Sequence, residues 1–110
     1  MEDQTLAGLR RLPGVTAAYL VDEQGVVSAT TRDEVGEAQG SLLAAVTAVL
    51  RQALADLELG PPGAAIVEAE RGAVVAGWLG DGRMAVAVAR AGANLGMIRV
   101  ELRRLRRAAQ

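Results

Sequence analysis

Residues 84–90 run Met-Ala-Val-Ala-Val-Ala-Arg, and no other stretch restricts the fold as much. In a strand, alternate residues point to opposite faces. Met84, Val86 and Val88 therefore share one face, and Ala85, Ala87 and Ala89 share the other. Neither face is polar, so this strand is covered on both sides and a sheet with one wet face is excluded. The chain must build three layers. The alanine face suits a helix packed close, and the larger face suits a second layer.

Four more segments read as strands. Residues 15–21 and 26–30 flank Asp22-Glu-Gln-Gly25, a turn with glycine where a positive φ is easiest. Residues 64–70 and 73–79 flank Arg71-Gly72, and Gly80-Asp81-Gly82 joins the latter to residues 84–90 with the Asp-Gly pair of a hairpin. Short turns between successive strands predict a mostly antiparallel sheet.

Three helices frame these strands. Residues 3–12 carry Leu6, Leu9 and Leu12 on one side and stop at Pro13-Gly14. Asn94 can cap a final helix with Leu95, Ile98, Leu102, Leu105 and Ala109 on its apolar arc. Between them, residues 33–60 read as one long helix. Thr31 and Glu34 have capping-box spacing, and Gly60-Pro61-Pro62 closes the far end. The expected order is α-β-β-α-β-β-β-α, an α+β fold. A five-stranded sheet would lie between the central helix and the two terminal helices, within a single domain over residues 1–110.

The central helix has two seams. Val35, Leu42, Val46, Val49, Leu50, Ala53 and Leu57 form an apolar arc that would cover the sheet. Gly36, Gly40, Leu43, Ala44, Thr47, Arg51 and Leu54 form a second, smaller one. Glycine within a helix costs about 1 kcal/mol relative to alanine, so two of them ask for a packing reason. A helix with two buried seams has two partners. Its own sheet is one, and a second copy of the chain is the expected other.

Composition excludes much chemistry. With 110 residues, 51% of them hydrophobic, the chain can bury one core. The net charge of −1 provides no overall attraction to nucleic acid or membrane. Cys and His are absent, which removes thiol nucleophiles, disulfides, most zinc sites and the usual proton shuttle. No serine lies in a nucleophile elbow. Gly92-Ala-Asn-Leu-Gly96 lacks the spacing of a phosphate loop and reads as a cap and turn. Glu68 and Glu70 share a strand face with no cleft marked around them. We expect no enzyme, no catalytic or metal-binding residue, and no cofactor. No signal peptide or membrane span fits, and a cytoplasmic protein is expected.

Three places carry a resemblance to a known family. They are Leu12-Pro-Gly-Val15 running into Ala18-Tyr-Leu-Val-Asp22 and Gly25-Val-Val27; the Gly77-Trp-Leu-Gly-Asp-Gly82 turn; and Ala91-Gly-Ala-Asn-Leu-Gly96-Met-Ile-Arg99 followed by Glu101-Leu-Arg-Arg104. In this order they resemble roadblock-family domains, which include roadblock-type dynein light chains and bacterial regulators of Ras-like GTPases. The last segment looks more bacterial than eukaryotic. The resemblance implies a five-stranded antiparallel sheet and a homodimer joined through the central helix and an edge strand. It also implies binding to a GTPase or a motor subunit.

Residue by residue, the expected dimer interface is Gly36, Gly40, Leu43, Ala44, Thr47, Leu50 and Leu54. The expected partner-binding residues are Thr47, Arg51 and Gln52, with a Ras-like small GTPase as partner. A structural adaptor without effect on GTP turnover is the alternative, and a small-molecule sensor is a third reading. The arginines of the last helix read as a solvated polar face. Nucleic acid is not an expected partner, because no aromatic residue accompanies those arginines.

Overall fold

The alanine face of residues 84–90 lies beneath two helices, and that contact organises the molecule. The structure is a computed structural model. It describes residues 2–22, 24, 26–30 and 37–109, with the side chains of 6–22, 24, 26–28, 42 and 45–109. Its elements are α1 (Glu2–Arg11), β1 (Val15–Val21), β2 (Val27–Thr30), α2 (Glu37–Asp56), β3 (Ala64–Ala69), β4 (Gly72–Trp78), β5 (Met84–Arg90) and α3 (Leu95–Ala108). The expected order is observed. The capping box at Thr31 and Glu34, and also Asp33, Val35 and Gly36, lie outside the described residues.

The strands pair in the order β2-β1-β5-β4-β3, every pair antiparallel. β5 is central because β1 pairs its other side, with Tyr19 opposite Val86 and Val21 opposite Met84. β2 and β3 are the edges. Asp22 closes the first hairpin: its Oδ1 accepts from the N–H groups of Gln24 and Val26, both at 2.9 Å.

On one face, Leu6 and Leu9 of α1 and Ile98, Leu102 and Leu105 of α3 pack on Ala18, Val75, Ala85, Ala87 and Ala89. Large helix side chains meet small strand side chains, which lets the layers interdigitate. Gly77 carries this further: a Cβ there would lie 2.9 Å from Leu102 Cβ. Asn94 caps α3, its Oδ1 accepting from the Met97 N–H at 3.2 Å.

The other face gathers Tyr19, Val21, Ala76, Trp78, Met84 and Val86 into a second buried cluster. Burial pushes the Tyr19 phenol above its ordinary range. α2 lies over this face and touches it sparsely compared with the α1 and α3 contacts on the opposite side.

The end of α2 differs from the expectation. The helix stops at Asp56, before Gly60, and Glu58 takes the left-handed backbone at φ 59°. The Leu59 N–H bonds to the Leu54 carbonyl at 2.9 Å and the Glu58 N–H to the Ala55 carbonyl at 3.0 Å. These two bonds make a Schellman ending with glutamate where glycine is usual.

Candidate functional site

α2 is the element on which the expected site rests, and its orientation corrects the sequence reading. Thr47 is half-buried, and its Oγ1 donates to Met84 Sδ on β5 at 3.6 Å. Leu54, two turns on, is also half-buried. The seam of Thr47, Arg51 and Leu54 is thus the side that faces the sheet. The apolar arc assigned to the sheet faces outward instead: Leu42 is 68% exposed, Val46 53%, Val49 68%, Leu50 36% and Leu57 67%. Ala53 is exposed as well. The physical reason is volume. The sheet here presents the bulky Tyr19, Trp78 and Met84, and Thr47, with its short side chain, fits over Met84 where the leucines and valines of the other arc would crowd it.

The expected site residues therefore separate. Leu50 sits on the outward arc, at its sheet-side margin. Thr47 and Leu54 turn inward. Gly36 and the side chains of Leu43 and Ala44 lie outside the described residues, and Gly40 is described only as part of the α2 backbone. Gln52 is exposed, and its Nε2 donates to Asp56 Oδ1 at 2.8 Å. Arg51 is exposed and lines a hollow of about 60 Å³ with Asp22, Thr47, Trp78 and Met84. Among the described residues Arg51 makes no ion pair.

A second apolar surface accompanies the arc. β3 pairs only with β4, so one of its edges carries no strand. Ile66 is partly exposed and Val67 is 63% exposed on it. An edge strand with exposed apolar side chains is a template for pairing with another chain. Its exposure has one signal in the segment itself, Glu68, since the rest of Ala64–Ala69 reads as apolar as the covered strands.

Acid–base chemistry finds little footing. Glu68 lines a hollow of about 290 Å³ beside Arg90, contrary to the expectation of no cleft there, and Glu70 does not join it. A lone carboxylate supplies no acid–base pair. Asp81 is held below the usual carboxylate range, chiefly by hydrogen bonding from the Arg83 side chain. It closes the 79–83 turn. Among the described residues, no cluster of Asp and Glu could hold a metal ion, and no helix is long and apolar enough to cross a membrane.

Comparison with known proteins agrees with this architecture. A Roadblock/LC7 domain from Streptomyces avermitilis superposes with a TM-score of 0.85 at 20% identity, covering 96% of this chain and 92% of that one. Myxococcus xanthus MglB superposes with a TM-score of 0.85 at 15% identity, over 94% of this chain and 80% of that one. The gliding protein MglB from Thermus thermophilus gives 0.82 at 21% identity, over 97% and 87%. Neither a protein-family model nor a curated protein sequence matches the chain. The chain has the roadblock fold.

Proposed function

We propose that this chain is a single roadblock-like domain acting as a homodimeric, non-catalytic binding protein that regulates or scaffolds a Ras-like small GTPase in a prokaryotic cytoplasm. The observation that carries the reading is the outward apolar arc of α2, where Leu42, Val46, Val49, Leu50 and Leu57 are all exposed. Surfaces of this kind mark protein–protein contact sites. The resemblance implies a dimer joined through the central helix and an edge strand, and these two elements, α2 and β3, expose large apolar side chains. A related structure is described as MglB with a tetrameric arrangement.

The partner surface of this proposal lies at Arg51 and Gln52, the two exposed members of the expected set. Thr47 supports it from below through its bond to Met84. Two-fold pairing of α2 would give a symmetric platform, which one asymmetric GTPase contacts unequally, so two copies per GTPase follow. The test titrates the dimer against a Ras-like GTPase from the same genome, loaded first with a GTP analogue and then with GDP, and follows GTP hydrolysis. Preference for one nucleotide state and a changed hydrolysis rate support regulation. Equal binding to both states with unchanged hydrolysis supports the adaptor reading. Arg51→Ala is expected to weaken the complex by about 1–3 kcal/mol if the guanidinium meets a desolvated carboxylate of the GTPase.

A further inference from the structure

We infer that the cleft at the Trp78 end of the sheet binds a small organic oxyanion, a phosphate or carboxylate on an apolar body. The cleft has a volume of about 660 Å³ and lies between α2, residues 60–62 and the 79–83 turn. That is the size range of small-molecule sites. Arg51 enters it from α2 and Arg106 from α3, so cations from both helical layers meet at one end of the sheet. An adjoining cleft of about 160 Å³ shares Trp78 and Arg106 and adds Arg99 and Arg103.

Among the described residues, no carboxylate lines either cleft. Arg51, Arg99, Arg103 and Arg106 make no ion pair or hydrogen bond among the described residues. Among the described residues, the acid that lines the neighbouring small hollow is Asp22, whose Oδ1 already serves two backbone N–H groups. Four guanidinium groups without counter-charges among the described residues raise the local positive potential, in a chain whose overall charge is −1. An oxyanion lowers that potential, and the planar fork of arginine matches carboxylate and phosphate oxygens two at a time. Gly63 leaves room for this arrangement: a Cβ there would lie 3.2 Å from Arg106 Nη1.

The remaining wall decides what the anion is attached to. Pro61, Pro62, Leu79, Ala55 and Trp78 are apolar and line the same cleft as the arginines. A bare inorganic ion would leave that wall unused. Behind that wall Trp78 Nε1 is buried and finds no acceptor among the described residues. Three arginines of the last helix line these clefts, Arg106 half-buried and Arg99 and Arg103 exposed, in keeping with the solvated polar face expected of them.

Trp78 is the only tryptophan of the chain, so its fluorescence reports on the cleft directly. The probes are phenyl phosphate and benzoate as organic anions, inorganic phosphate as a bare ion, and phenol as an uncharged body. Phenyl phosphate or benzoate is expected to give a saturable change with Kd below about 1 mM, with phosphate weaker and phenol without effect. Arg51→Gln and Arg106→Gln should each raise Kd about tenfold or more, and Arg107→Gln should leave it unchanged. Should a glutamine variant fail to melt cooperatively, the lysine variant at that position replaces it, with a smaller loss expected. No saturable change up to about 10 mM would overturn the inference, as would phenol titrating like phenyl phosphate, or both arginine variants binding like the unmodified protein. A response to inorganic phosphate as strong as to the organic anions would overturn the assignment of an apolar body. The titration contains no second protein, so its outcome is independent of the GTPase reading.

Discussion

Thr47 Oγ1 of α2 donates a hydrogen bond to Met84 Sδ of β5 at 3.6 Å. The contact marks which side of the helix meets the sheet. With Thr47 inward, Leu42, Val46 and Val49 are directed to solvent or to another protein. The energy of the single contact is small, because sulfur is a weak acceptor. Its value is directional: it marks the Thr47 side of α2 as the one above the cluster of Tyr19, Trp78 and Met84.

The dimer is expected to depend on the outward arc. Val49→Asp or Leu42→Asp should release monomers, because each removes roughly 1.5–3 kcal/mol of apolar burial per copy and buries a carboxylate without a partner. Thr47→Val should leave the dimer intact. Sedimentation velocity at micromolar concentration checks both. Wild-type protein that sediments as a monomer would remove the basis for the interface.

Glu58 occupies a left-handed position that costs an L-residue about 1–2 kcal/mol. Glu58→Gly relieves that strain while adding freedom to the unfolded chain, so a net gain of roughly 0.5–1 kcal/mol is expected. Urea denaturation should show a higher midpoint with the same slope. A midpoint that falls would show that the glutamate has a stabilising contact of its own.

α3 approaches β4 closely at Gly77. In Gly77→Ala the new methyl group would sit 2.9 Å from Leu102 Cβ and 3.3 Å from Leu102 Cγ. The helix must shift, at a cost of about 1–3 kcal/mol. Thermal melting that is unchanged by this substitution would mean that α3 stands farther from the sheet.

Asp81 gives a pH dependence of known sign. Its Oδ2 accepts from Arg83 Nε at 2.9 Å, and its folded pKa is lowered chiefly by that side-chain hydrogen bonding. The stabilisation is therefore present above the unfolded carboxylate value and is lost as pH falls through the lower folded value. The pair is partly exposed, so less than about 1 kcal/mol is at stake. Melting curves of Asp81→Asn and wild type should differ at neutral pH and converge in strong acid. A gap that persists in acid would assign the effect to the turn backbone rather than to the charge.

Much of the fold is legible in local patterns. The doubly apolar run 84–90 requires cover on both faces, and both faces of β5 are buried along most of its length. Asn94 before a 3.6-residue apolar repeat predicts a capped helix, and the cap is formed. Each of these features is set by neighbours within a few residues, where backbone sterics and hydrogen bonding operate. The end of α2 is the local exception: Gly60 is the obvious terminator, but the two closing hydrogen bonds form at Glu58 and Leu59.

The candidate site was less legible because α2 carries two plausible buried sides. Periodicity identifies both, and hydrophobicity alone favours the wrong one for the sheet. The choice depends on the volumes of Tyr19, Trp78 and Met84, which come from three different strands and become one surface only after the sheet assembles. The cleft lined by Arg51 and Arg106 likewise joins residues of α2 and α3, far apart in the chain. The sequence by itself determined the elements, their order and the need for three layers, because those follow from short-range periodicity and turn chemistry. Only the tertiary structure decided which side of α2 is left outward and which arginines share a cleft, because packing matches volumes and charges that no local pattern contains.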